Sequence, residues 1–180
     1  MANEQTITIT LLPANIKNGE YKDTLKVQTN GGNQDIPILC SIAFPIINIR
    51  ICIGSGIADI DGKQIPFDKD NPKISPFIVN GRTMVPLRFI SEAFGSEIFW
   101  ESFTKKIYLK LPSKEIQMML EVNNPKVLIN QQTKILDVPP LIFEKRVYVP
   151  IRFIAEGFGA TVSVVKSGGD ASCVQILYEQ

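Results

Sequence analysis

The 180-residue chain contains no histidine, so its reactive side chains at neutral pH are carboxylates, three cysteines and hydroxyls. Imidazole titrates near neutrality and binds borderline metals well. Its absence removes copper centres, most catalytic zinc sites and most general-base arrangements. Paired carboxylates remain possible in principle. Glu92, Glu97, Glu101, Glu115 and Glu121 would serve glycosidase-like chemistry only if two faced each other across a cleft at about 5 to 10 Å. Glu92 is accounted for by Arg88, one helical turn away, and the others fall at strand ends or alternating polar positions, the pattern of solvated faces. Asp59, Asp61, Asp68, Asp70 and Asn71 carry the oxygens that calcium prefers. Their spacing is not that of an EF-hand loop, and Asp61-Gly62 is a turn signal. Ser55 lies in Gly54-Ser55-Gly56, neither a nucleophile elbow nor a phosphate-cradling loop. We expect no catalytic residue, no cofactor and no metal ligand.

Three further groups could take part in binding. Cys40, Cys52 and Cys173 are odd in number, lack a CxxC or metal spacing and sit in apolar strand-like runs. They read as small buried hydrophobes, with a Cys40–Cys52 disulfide as the alternative. Trp100 with Phe99 and Phe103 would make an aromatic platform for a sugar ring, but period-two alternation puts Ile98 and Trp100 on one face, so Trp100 is expected in the core against a helix. Nineteen Lys and Arg against 18 Asp and Glu leave a net charge of +1. Without a basic cluster, nucleic acid is a poor partner.

The elements that must position these groups are strands and two short helices. Residues 1–46 read as strands Thr6–Leu12, Tyr21–Thr29 and Ile36–Phe44, with turns at Asn18-Gly19-Glu20 and Asn30-Gly31-Gly32-Asn33. The start resembles neither a signal peptide nor a natural beginning, which suggests a fragment with an added Met. No run is long enough to span a membrane as an apolar helix. An internal repeat governs residues 47–180. Val85-Pro86-Leu87-Arg88-Phe89-Ile90-Ser91-Glu92-Ala93-Phe94-Gly95-Ser96 returns 64 positions later as Val149-Pro150-Ile151-Arg152-Phe153-Ile154-Ala155-Glu156-Gly157-Phe158-Gly159-Ala160, and Arg82 and Arg146 extend the match upstream. In each copy a β run feeds a proline at the first helical position, an apolar helix face follows, and Gly95 or Gly159 caps the end. Arg88–Glu92 and Arg152–Glu156 stand at i,i+4. The unit reads hairpin, loop, strand, short helix, hairpin, over about 47–112 and 113–180. We therefore expect a β-rich α+β fold, with curled antiparallel sheets each packed around a short helix.

Asn80-Gly81-Arg82-Thr83-Met84-Val85-Pro86-Leu87-Arg88-Phe89-Ile90-Ser91-Glu92-Ala93-Phe94-Gly95, then Trp100 and Thr104-Lys105-Lys106-Ile107, resembles the copper amine oxidase-like N-terminal domain, or stalk domain. Proteins of the cell surface and secreted proteins of Gram-positive bacteria often carry it in tandem. The resemblance covers roughly 49–180 and marks Arg82, Pro86, Arg88, Phe89, Glu92, Gly95 and Trp100, with Arg146, Pro150, Arg152, Phe153, Glu156 and Gly159, as the fold signature. The second copy departs from the pattern: Glu144-Lys145 replaces Asn-Gly, and Val165-Lys166 stands where the tryptophan would be. The strands of residues 1–46 resemble the close of an immunoglobulin-like sandwich. The family resemblance implies no activity, because the copper and quinone chemistry of amine oxidases lies outside this domain. It implies a non-catalytic module, extracellular or cell wall-associated, acting as a spacer or as an adhesive unit towards wall polymer, glycan or partner protein. The alternative is an accessory domain of a secreted enzyme.

Overall fold

The computed structural model describes residues 19–29, 31–43, 45–166 and 172–179. The chain divides into two compact units, Met1–Pro45 and Ile46–Gln180. In the first, β1 (Gly19–Thr29) and β2 (Gly32–Ile42) pair antiparallel, from Gly19 opposite Ile42 to Thr29 opposite Gly32. The strand expected at Thr6–Leu12 and the turn expected at Ser167–Asp170 lie outside the described residues.

In the second unit the first copy of the repeat supplies β3 (Ile46–Cys52), β4 (Ile57–Ile60), β5 (Lys63–Pro66), β6 (Phe77–Val79), β7 (Arg82–Pro86), α1 (Leu87–Ala93), β8 (Glu97–Glu101) and β9 (Lys106–Leu111). The second supplies β10 (Ile116–Glu121), β11 (Asn124–Ile129), β12 (Gln132–Ile135), β13 (Leu141–Phe143), β14 (Arg146–Pro150), α2 (Ile151–Gly157), β15 (Thr161–Lys166) and β16 (Ser172–Glu179). The result is the expected β-rich fold of antiparallel sheets and two short helices.

The copies exchange strands. One five-stranded sheet runs β15-β16-β3-β4-β5 and the other β8-β9-β10-β11-β12, so the last two strands of each copy complete the sheet begun by the other. A four-stranded sheet, β6-β7-β14-β13, joins the copies at the centre. There Val85 lies opposite Val149, Met84 opposite Pro150 and Pro86 opposite Tyr148. Val85 and Val149 hold equivalent positions in the repeat, so this register places a pseudo-two-fold axis between them. The rings of Phe94 and Phe158, the helix-end equivalents, also meet, with centroids 5.4 Å apart.

Local chemistry explains the helices. Pro86 and Pro150 sit at the N-caps with ψ of 121° and 116°, one residue before the first helical position expected for them. Their extended ψ lets each finish a strand of the central sheet before the chain turns. At the other end Gly95 and Gly159 take φ of +71° and +85°. The N–H groups of Ser96 and Ala160 donate to the carbonyls of Ser91 and Ala155, and those of Gly95 and Gly159 to Glu92 and Glu156. This double closure satisfies carbonyls that a two-turn helix would otherwise leave bare. Glu144 and Lys145 both adopt positive φ (46° and 60°), as do Asn80 and Gly81 (48° and 76°). The second copy thus keeps the tight left-handed turn without the residues that favour it.

The cysteine reading is corrected. Cys52 and Cys173 form a disulfide, while Cys40 is free and partly buried. Sequence placed the two 121 residues apart. Strand exchange makes them cross-strand neighbours on β3 and β16, with Cα atoms 4.0 Å apart. Closing so long a loop removes much freedom from the unfolded chain, and we expect its loss, by reduction or by Cys52→Ser with Cys173→Ser, to cost about 2–5 kcal/mol in urea denaturation. Phe89, 6% exposed and 4.5 Å from the Phe67 ring, should cost about 3–5 kcal/mol as Phe89→Ala. Phe153 is only partly buried, so Phe153→Ala should cost clearly less; equal losses at the two positions would contradict this packing.

Candidate functional site

The strand exchange opens a groove of about 500 Å³ beside α1. Ile65 to Asp70, leaving β5, form one wall, and Leu87, Arg88, Phe89 and Glu92 of α1 form the floor. Ile98 and Trp100 of β8, with Ile107 of β9, stand on the far side. Ile142 and the Lys145-Arg146-Val147 segment close the end from the other copy. Its lining mixes apolar side chains such as Phe67, Phe89, Ile98 and Trp100 with the charged Asp68, Arg88, Glu92, Lys145 and Arg146.

Trp100 is the main correction here. It does share a face with Ile98 against the helix, but it is 39% exposed because it stands in the groove rather than beneath α1. The three aromatics do not form one platform. Phe99 points to the opposite face, 64% exposed and 6.1 Å from Tyr108, and Phe103 in the following turn is 98% exposed. Counted from the helix-ending glycine, Trp100 corresponds to Val164 in β15, one residue before the Val165-Lys166 expected there, so the tryptophan side chain belongs to one copy alone.

Two salt bridges brace the copies across the central sheet. Arg146 donates from Nε to Oδ2 of Asp68, whose Oδ1 accepts the N–H groups of Asp70 and Asn71 at 3.0 Å. Arg82 makes the corresponding bridge to Asp137, its Nε 2.9 Å from Oδ2. The hydrogen bond from Arg146 holds the Asp68 carboxyl below the usual carboxylate range, against partial burial that pushes it up. The same bond raises Arg146. Nearby, Tyr148 donates to the carbonyl of Ser75 at 3.3 Å, and burial pushes its phenol upward.

Among the expected signature residues, Phe89, Arg88, Glu92, Pro86, Trp100 and Arg146 line the groove, while Arg152, Phe153 and Glu156 do not. Arg152 pairs with Glu156 at 3.8 Å on the exposed side of α2. Among the described residues no ion pair joins Arg88 to Glu92, and both side chains are exposed at the groove. The four do not converge on one cavity. Asp59 and Asp61 serve turns and chain crossings, accepting from the N–H groups of Gly62 and Asn48. Among the described residues no three His, Cys, Asp or Glu side chains gather as a metal site. Sequence reasoning weighed Asp68 only as a cation ligand and missed its bridge to Arg146, 78 positions away.

The groove lies on a β-rich scaffold whose two copies exchange strands. The family model described as the copper amine oxidase N-terminal domain matches residues 59–171. The chain belongs to this family, whose N-terminal domain is a non-catalytic accessory element of the oxidases. No curated protein and no solved structure shows a match. No helix among the described residues is long and apolar enough to cross a membrane.

Asp68 gives a pH test. Its folded pKa lies below the unfolded value of about 3.9, so its contribution is fully present above that value and fades as pH falls through the folded one. Thermal melts of the parent and Asp68→Asn should differ at pH 6 and draw together as the pH falls below the unfolded value of about 3.9. A gap that persists in acid would contradict the bridge.

Proposed function

We propose that this chain is a non-catalytic binding module of a bacterial cell-surface or secreted protein, and that the Trp100 groove holds its ligand, a glycan of the wall-polymer class. The groove carries this reading. An indole face suits the apolar C–H face of a sugar ring, and Arg88, Glu92 and Lys145 in the groove lining suit its hydroxyls and any acidic substituent. The Cys52–Cys173 disulfide supports an oxidising, extracellular setting.

Of the spacer and adhesive roles, the geometry favours adhesion. The chain enters the second unit at Ile46 and leaves at Glu179, which are paired neighbours on β3 and β16. Within a longer chain, a body whose two ends are paired neighbours would add only about 5 Å of length. It presents a surface better than it spans a distance. The other reading, an accessory domain of a secreted enzyme, is favoured by the family match to the appended domain of an oxidase.

Trp100 is the only tryptophan, so its emission reports on the groove directly. Titration with soluble peptidoglycan fragments and teichoic acid should give a saturable change in intrinsic fluorescence. Trp100→Ala should abolish retention on immobilised wall polymer, and Val164→Ala should leave it unchanged. No saturable signal from any wall glycan, or full retention by Trp100→Ala, would sink the glycan reading.

A further inference from the structure

We infer that the second unit is built to bear tension, with the Cys52–Cys173 disulfide as a covalent stop. Tension in a chain passing through this unit reaches it at Ile46 and Glu179, paired at one end of the β3–β16 ribbon. Pulling two antiparallel strands apart from the same end loads their hydrogen-bonded pairs one after another, the weakest way to load a sheet. The ribbon would peel from Ile46–Glu179 through Ile49–Ile176 towards Cys52–Cys173. The disulfide closes the far end of that path, so peeling halts there. The groove and the central sheet lie wholly between the two cysteines in sequence and carry no load. A surface module could then stay ligand-competent while the chain through it is stretched. This inference rests on the ribbon and its crosslink, and is independent of what fills the groove.

The lengths set the test. Of the 133 residue steps from Ile46 to Glu179, 121 lie between the cysteines, leaving 12 free to extend. At about 3.4 Å per residue, the oxidised unit can pay out about 40 Å and the reduced unit about 450 Å. The full chain, held by handles at its two ends, is stretched in an optical trap with and without dithiothreitol. The reductant's two thiols close to a cyclic disulfide as Cys52 and Cys173 each gain a hydrogen. The first unit contributes equally to both arms, so their difference isolates the crosslinked loop. The expected result is a final extension about 400 Å shorter in the oxidised chain, with the Cys52→Ser, Cys173→Ser chain matching the reduced one. Equal extensions in the two arms overturn the inference. The dithiothreitol arm decides the matter if the double variant does not fold. Trp100→Ala should leave both extensions unchanged, which separates failure of the stop from failure of the glycan reading.

Discussion

The pairing of β7 with β14 is the constraint from which the rest of the second unit follows. Val85 and Val149 are fully buried and face each other across it, and each helix starts one residue beyond a proline that ends one of these strands. Two equivalent strands running antiparallel about a shared axis start their helices at opposite ends of the pair, from where the helix ends meet through Phe94 and Phe158. The hairpin that follows each helix is then carried to the sheet of the other copy. The three-stranded sheet that each copy begins, β3-β4-β5 or β10-β11-β12, would by itself leave β3 or β10 without a second partner. The exchange pairs β3 with β16 and β10 with β9, and the aromatic contact of Phe94 with Phe158 and the Arg82–Asp137 and Arg146–Asp68 bridges sit where the copies interlock. The exposed bridge adds little stability by itself; the more sheltered Arg146–Asp68 pair shapes the groove as well.

The exchange treats the two copies alike, and the asymmetry between them comes from single side chains. A perfect two-fold body would show the same groove twice, yet the two strands leaving the helices differ where it matters, with Trp100 in one and Val164 in the other. The scaffold positions remain matched, as the helix caps and the left-handed turns at Asn80-Gly81 and Glu144-Lys145 show. Repetition holds the backbone, and divergence of single side chains gives one face its character.

Much of this was legible in advance, for a physical reason that differs from residue to residue. Helix α1 could be read because Pro86, the apolar spacing and Gly95 are neighbours in sequence and act through local backbone chemistry. Trp100 was misplaced because alternation tells which face of a strand a side chain occupies, not whether anything covers that face. The cysteines were misread for a related reason. Each sits in an apolar strand, which is equally the setting of a buried thiol and of a cross-strand disulfide, and the choice depends on which strand lies alongside.

Composition excluded imidazole chemistry, and the repeat established two helix-bearing units with their caps and turns, since these depend on interactions within a few residues. Only the tertiary structure decided that the copies share their sheets, that Cys52 meets Cys173, that Arg146 reaches Asp68 and that Trp100 lines a groove. Each of these joins positions tens of residues apart, and which distant strands pair is settled by burying the apolar faces of the whole body together.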